Sequence, residues 1–456
     1  MVATIALSLA ITITADPTHY VLNAEAGVSD IAVQDINGDD KAEIFALCCD
    51  EESRPLNKFV AAYLADETGA YPPTPTVMLS LDPSIGALFF AQVDGAPPVE
   101  LVATNAEGAT VYSFRSGRFE KTASAAFTSL LPSGARKPLF MNRAAVDLDG
   151  DGVDEWLVPV ASGFELRNVH GRICAIPCDV VSGIRAGDAV YISHRLPIYR
   201  LVDLPGQSQK GLAFLSDDVV DFAYGLNWSE HRDVRLPVIL EEENGKASWS
   251  MEDIDGNGLP DFLVTQAKGM VGLKVLTQVY LAAAPFAYPD TPTAAFEANG
   301  SVAIHLLTDA DADGDLDVLT FSAPLGIKSF INYFVRKRVS VHVDVHLFED
   351  GGFPDKPSAR TKLTVDAPED QDQVVYALGD FNGDGHLDVA YGAGTSKLVI
   401  FSGGEKRFLA SRPWVTLALP TSGDARTCDL DGSGCDDIVL FHRAGELQKR
   451  IEVVVF

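Results

Sequence analysis

Positive charge is scarce in this chain: 35 Lys and Arg stand against 64 Asp and Glu, a formal net charge of −29. So acidic a surface repels phosphate backbones and anionic headgroups, which excludes nucleic acid and an acidic membrane surface as partners. No apolar run after residue 15 approaches the roughly 18 residues of a spanning helix, so no membrane span is expected. Catalytic signatures are missing too. There is no Gly-x-Ser-x-Gly elbow, no P-loop, no Gly-x-Gly-x-x-Gly opening a helix and no His-Glu-x-x-His. Only 6 cysteines are present. Cys428 and Cys435 bracket an acidic loop, and Cys174 and Cys178 flank a Pro-containing turn, so either pair is placed to close locally. The neighbours Cys48 and Cys49 read as buried thiols, because a bond between adjacent cysteines is strained.

What the chain does have is one acidic spacing, repeated. In Asp380-Phe381-Asn382-Gly383-Asp384-Gly385-His386-Leu387-Asp388, oxygen-bearing side chains fall at positions 1, 3, 5 and 9, with glycine at position 6. A hard cation such as Ca²⁺ takes roughly six to eight oxygens from carboxylates, amides, carbonyls and water. Glycine at position 6 lets the backbone turn left-handed and bring those oxygens together. Five further copies follow the same spacing: Asp35, Asn37, Asp39, Glu43; Asp147, Asp149, Asp151, Glu155; Asp253, Asp255, Asn257, Asp261; Asp309, Asp311, Asp313, Asp317; and Asp429, Asp431, Ser433, Asp437. With Asp380, Asn382, Asp384 and Asp388 they make six candidate Ca²⁺ sites. An EF-hand is excluded, because position 12 is Tyr391 after Asp380 and Thr320 after Asp309 instead of Glu.

Two gaps between loops are nearly double length, and each holds a degenerate copy: one anchored at Asp94, one at Asp203. The result is a repeat of about 50–60 residues, the period of arrays and propellers. Short apolar runs joined by Gly, Pro and Asp turns flank each loop, as in Leu387–Tyr391 and Lys397–Phe401, so each unit reads as an antiparallel meander. The last unit is one strand short, and Tyr20–Ala24 precedes the first loop without a unit of its own. The predicted fold is therefore an all-β propeller closed by the N-terminal strand. In the long interval before Asp380, Ser340, His342, Asp344 and His346 share one face of an extended strand, either a solvated face or a His-Asp-His metal row.

The tail Asp388-Val389-Ala390-Tyr391-Gly392-Ala393-Gly394, and Asp317-Val318-Leu319 through Ser322-Ala323-Pro324, resemble the FG-GAP/VCBS repeat family, which includes the propeller of integrin α subunits. The resemblance runs from about residue 18 onward through the repeats. It implies a Ca²⁺-bearing propeller of seven or eight four-stranded blades; the eight anchors favour eight. It also implies an extracellular, cell-surface or periplasmic setting. Asp40 departs from the family's glycine at position 6 of the first loop, and Ala312 from the glycine at position 4 of the fourth.

These readings set the functional expectation: a secreted, monomeric calcium-binding propeller acting as a protein- or glycan-binding (adhesion) module, with calcium mainly structural. The alternative is a propeller-type polysaccharide lyase or other carbohydrate-active enzyme. For that alternative the candidate residues are His194, Arg195, Tyr199, Arg200, Asn227, Trp228, His231 and Arg232, which gather aromatic, imidazole and guanidinium groups in one unit without metal ligands. Residues 2–15 carry no charge and end at Ala15 before Asp16-Pro17. They read as a signal-peptide core, which makes 1–15 a cleaved segment and 16–456 a single domain. The competing reading is a Thr/Ile strand of the domain itself.

Overall fold

The computed structural model describes residues 16–54, 56–186, 190–216, 219–235, 247–268, 274–299, 303–311, 313–322, 338–366, 375–404 and 408–456. The expected signal segment 1–15, Ala312 and the Ala323-Pro324 end of the second family-like stretch lie outside them.

Eight four-stranded antiparallel blades form a ring, a β-propeller. Blade 1 runs from strand Gly27–Gln34 to Val77–Leu81, blade 2 from Ala87–Ala91 to Arg118–Ala126, and blade 3 from Ala145–Val146 to Gly171–Pro177. Blade 4 spans Ile198–Val202 to Glu230–Arg235, blade 5 Ala247–Glu252 to Ala294–Asn299, blade 6 Ala303–Thr308 to Ala359–Asp366, and blade 7 Tyr376–Gly379 to Val415–Leu417. Blade 8 is composite. Its strands Asp424–Cys428, Asp437–Phe441 and Arg450–Val455 come from the end of the chain, and Thr18–Asn23 completes it from the start. Thr18 pairs with Val455 and Asn23 with Arg450, Leu22 is fully buried, and His19 Nε2 lies 2.7 Å from the Glu452 carboxylate. The closure expected from the sequence is present, and it covers an edge that would otherwise be open to pairing.

The apolar runs have no polar face because each blade is buried on both. Among the described residues eight hydrophobic clusters form, each between two neighbouring blades. In the strand Asn57–Tyr63, Phe59, Ala61 and Tyr63 enter the cluster shared with blade 8, while Val60 and Ala62 enter the one shared with blade 2. This is the two-residue alternation of a strand applied to two cores at once. It also explains the cysteines. Cys48 and Cys49 are consecutive in Glu43–Asp50 and so point to opposite faces; all six cysteines are free thiols, including the 174/178 and 428/435 pairs.

First strands of neighbouring blades touch between blades 2 and 3, 4 and 5, 7 and 8, and 8 and 1, which places them at the hub. Two additions break the period. After blade 2 the chain returns to the hub, where Leu139–Phe140 pairs in parallel with Ala87–Ala91. Between blades 3 and 4 a hairpin of Val181–Ala186 and Val190–Arg195 stands as a separate two-stranded sheet. The long interval before Asp380 is an extended pair, Arg338–His346 with Ala359–Asp366.

Candidate metal centres

Every acidic loop joins the first and second strands of its blade in one register. The residue before position 1 pairs with position 9: Gln34 with Glu43, Val146 with Glu155, Glu252 with Asp261, Thr308 with Asp317, Gly379 with Asp388 and Cys428 with Asp437. A nine-residue loop closed by that pair brings positions 1 and 9 to the same place.

Three hydrogen bonds recur in all six loops. Position 1 accepts the N–H of position 6, as Asp35 does from Asp40 (3.1 Å) and Asp380 from Gly385 (2.7 Å). Position 5 accepts the N–H of position 7, for example Asp151 from Val153 at 2.8 Å. Position 9 accepts the N–H of position 2, with N···O distances of 2.7–3.0 Å. The position-6 residue is left-handed throughout, φ running from 64° at Asp40 to 98° at Gly314. Asp40 thus holds the backbone shape the loop requires without being glycine, and Asp is among the residues that tolerate it.

In four of the six loops three acidic side chains converge. Asp147, Asp149 and Glu155 bring carboxylate oxygens within 4.8 Å of one another, as do Asp253, Asp255 and Asp261; Asp309, Asp311 and Asp317; and Asp429, Asp431 and Asp437. The convergent set is therefore positions 1, 3 and 9; Asp151 and Asp313, at position 5, stand outside it and serve the backbone. The other two loops carry asparagine at position 3. There Asn37 lies between acids, its Nδ2 3.2 Å from Asp39 and 2.6 Å from Glu43; turning the amide over would present Oδ1 instead.

Position 9 is the buried anchor, no more than 2% exposed in any of the six loops. Burial pushes Glu43, Glu155, Asp317, Asp388 and Asp437 up to about 7 and Asp261 to about 6, and the neighbouring loop carboxylates push the same way. Where position 9 is aspartate, its second oxygen accepts another backbone N–H: Asp261 from Ala282, Asp317 from Phe348, Asp388 from Gly403 and Asp437 from Phe456. The donor set is all oxygen, which suits a hard divalent cation over a soft one. In the blade 6 loop Asp311 Oδ1 is buried with no hydrogen-bond partner. An acceptor left in that state is costly, and a cation between it, Asp309 and Asp317 would satisfy it. The residues fit a metal; which metal is a matter of proposal.

Register also locates the two loops without a full donor set. In blade 2, Ala91 pairs with Glu100 and Val93 N–H donates to Glu100 Oε2 at 3.0 Å, so position 1 is Gln92 and not Asp94. That loop keeps Asp94 and Glu100 but has Ala96 at position 5. In blade 4, Val202 pairs with Gly211, confirming Asp203 as position 1, with Pro205, Gln207 and Gly211 where ligands would stand. Here Lys210 Nζ sits 3.0 and 3.1 Å from the two Asp203 oxygens.

The loops are also tied to one another. The position-8 N–H donates to the preceding blade's loop at Ala42→Leu430, Asp154→Gln92, Lys210→Leu148, Leu316→Ile254 and Asp436→Asp380, with N···O distances of 2.7–2.9 Å. Three position-8 carbonyls are capped by aromatic donors: Ala42 by Tyr71, Pro260 by Tyr288 and Lys210 by Trp228.

That last bond accounts for Trp228, a buried cap and not a sugar platform. The other residues considered for catalysis have separate engagements. Arg200 stacks over Trp249 and donates to its carbonyl, Tyr199 donates to the Arg143 carbonyl, His231 pairs with Asp221, and His194 meets Ser182 on the extra hairpin. The His-Asp-His row does not assemble either. Asp344 is held bidentately by Arg360, and His346 is buried against Phe296.

A scan against protein-family models finds no match, and neither does a search of curated proteins. Among solved structures, the chain is similar to the V. cholerae biofilm matrix protein Bap1, with 11% identity, a TM-score of 0.43, and coverage of 95% of this chain and 88% of that one. It is also similar to BBS1N in complex with ARL6DN, in a lead-soaked crystal (8% identity, TM-score 0.36) and a mercury-soaked one (9%, 0.37), covering 96% of this chain and 95% of that one in both.

Proposed function

We propose that this chain is a calcium-stabilised propeller of the FG-GAP/VCBS type, serving as a binding module for a protein or glycan in an extracellular, cell-surface or periplasmic setting. One observation carries the reading: six loops at one register position of six blades each bury a position-9 carboxylate, and in four of them three carboxylates converge around it. Calcium is favoured over transition metals by the absence of histidine and cysteine from the 24 loop positions. Extracellular millimolar Ca²⁺ fills open loops of this kind, whereas resting cytosol does not. The loops are structural under this reading, since their bonds run into the blade backbones and neighbouring loops. Adhesion through integrin-like recognition loops does not carry over, and the separated blade 4 side chains lend the lyase alternative no support.

Native mass spectrometry in calcium-containing buffer tests the proposal by counting ions. About six per chain are expected, and none after chelation. A chain that takes up no calcium at millimolar concentration would end it.

A further inference from the structure

The hub holds a cavity of about 300 Å³, between the first strands of blades 8, 1 and 2 and the inserted segment around Phe140. That is the small end of the range for ligand pockets. In a chain with 64 acidic residues, no carboxylate lines it, and none of the 24 loop residues does. Two guanidinium side chains do, those of Arg143 and Arg426.

Asn142, Arg143 and Thr427 on this wall are exposed, and Arg143 feels the Glu252 carboxylate and the Arg200 guanidinium across the hub. Gln34, Asn142, Thr427 and Arg143 make no side-chain hydrogen bond within the described residues, and Gln34 and Thr427 sit on paired strands. Arg426 donates to the Ala425 carbonyl and to Asp30, which leaves other N–H donors of its five. Asp30, buried behind the wall, is already satisfied by Arg426, Arg443 and the N–H groups of Ile31 and Phe140. Arg143 is held in a left-handed conformation, φ 61°, with its carbonyl fixed by the Tyr199 hydroxyl at 2.8 Å. Left-handed non-glycine residues are strained and concentrate at ligand clamps. Met141 adds an apolar flank.

We propose that the hub cavity binds a small hydroxylated carboxylate of single-sugar size, its carboxylate on Arg143 and Arg426 and its hydroxyls on Gln34, Asn142 and Thr427. A guanidinium fork matches a carboxylate in two parallel bonds, and uncommitted amide and hydroxyl groups match hydroxyls. The site goes beyond the reading of the loops and does not depend on it, because no loop residue contributes to the wall.

Glucuronate is the probe, with glucose, inorganic phosphate and an acidic tetrapeptide in parallel, titrated calorimetrically into the calcium-loaded chain. Glucuronate should bind saturably and glucose should not. Arg143→Gly removes the guanidinium while keeping the left-handed backbone free of strain, so it should fold and should weaken glucuronate at least about tenfold. Arg118→Ala, on an outer strand of blade 2, should change nothing. Equal responses to glucuronate and glucose, tighter binding of phosphate or the peptide, or full binding by folded Arg143→Gly would each overturn the proposal. Loss of calcium uptake with glucuronate binding intact would overturn the loop reading alone.

Discussion

Blades 3 and 4 are neighbours with the same loop in the same register, and they neutralise it differently. Blade 3 gathers Asp147, Asp149 and Glu155 with no basic side chain among them. Blade 4 keeps only the position-1 acid, Asp203, and meets it with the ammonium of Lys210. Both solutions leave the strand pairing and the link between the loops intact, since Lys210 N–H still donates to the Leu148 carbonyl at 2.9 Å. The loop is thus first a connection between strands, and its need for an external cation follows from how many carboxylates it carries. One acid can be balanced by a lysine on the same turn. Three cannot, because at contact each pair repels by roughly 1–4 kcal/mol depending on screening.

The largest test of that contrast is removal of the cation from all the acid-rich loops. At ten-fold saturation each site adds about 1.4 kcal/mol, so six add on the order of 8 kcal/mol. Chelation should lower the melting temperature by on the order of 10 °C, and hydrogen exchange should rise less in the blade 4 loop than in the blade 3 loop. Superimposable melts with and without chelator would refute the difference between the two blades.

Acid should act in opposite directions on the two forms. Five of the position-9 carboxyls of the metal-free protein are raised to about 7 and Asp261 to about 6, above the roughly 4 of an unfolded carboxylate, so the folded chain holds those protons more tightly. Between about pH 7 and pH 4 their contribution favours folding as pH falls. The chelated protein should therefore melt higher at pH 5 than at pH 8, while the calcium-loaded protein loses ions to protons and melts lower. Calorimetry at the two pH values decides it, and a chelated protein that is less stable at pH 5 contradicts the burial of these groups.

Single substitutions sharpen the comparison further. Asp317→Ala leaves the buried N–H groups of Ala310 and Phe348 without acceptors, at about 1–3 kcal/mol each, and should cost one ion in the native mass spectrum. Lys210→Met breaks a pair whose side chains are 42% and 80% exposed, so it should cost under about 1 kcal/mol and leave the ion count unchanged. A Lys210 variant as destabilised as the Asp317 variant would mean that the lysine does more than balance Asp203.

The fold was readable because one register recurs. Once Asp380 to Asp388 defines a loop between two strands, five copies of its spacing place five more blades, and the unpaired Tyr20–Ala24 strand has one place to go. What escaped reading is what departs from the period. The blade 2 anchor is Gln92, two residues before the acid that marks it, because only strand pairing fixes position 1 when the ligands have gone. The hub segment at Leu139–Phe140 and the Val181–Arg195 hairpin are single insertions with nothing to compare them to. Spacing alone also does not show that position 5 accepts the backbone N–H two residues on. Chemical type misled in blade 4, where Trp228, Arg200 and His231 collect in sequence but belong to three separate contacts.

If the loops hold cations, as proposed, the backbone hydrogen bonds that run from loop to loop bear on how those cations come and go. The Asp380, Asp429 and Asp35 loops are consecutive around the ring, joined through Asp436 to Asp380 and Ala42 to Leu430. Reshaping the middle turn moves an amide that its neighbour's carbonyl is holding, and the middle turn's own carbonyl is held in the same way from the other side. Under the proposed reading these three should fill and empty as a group, while more isolated turns titrate alone.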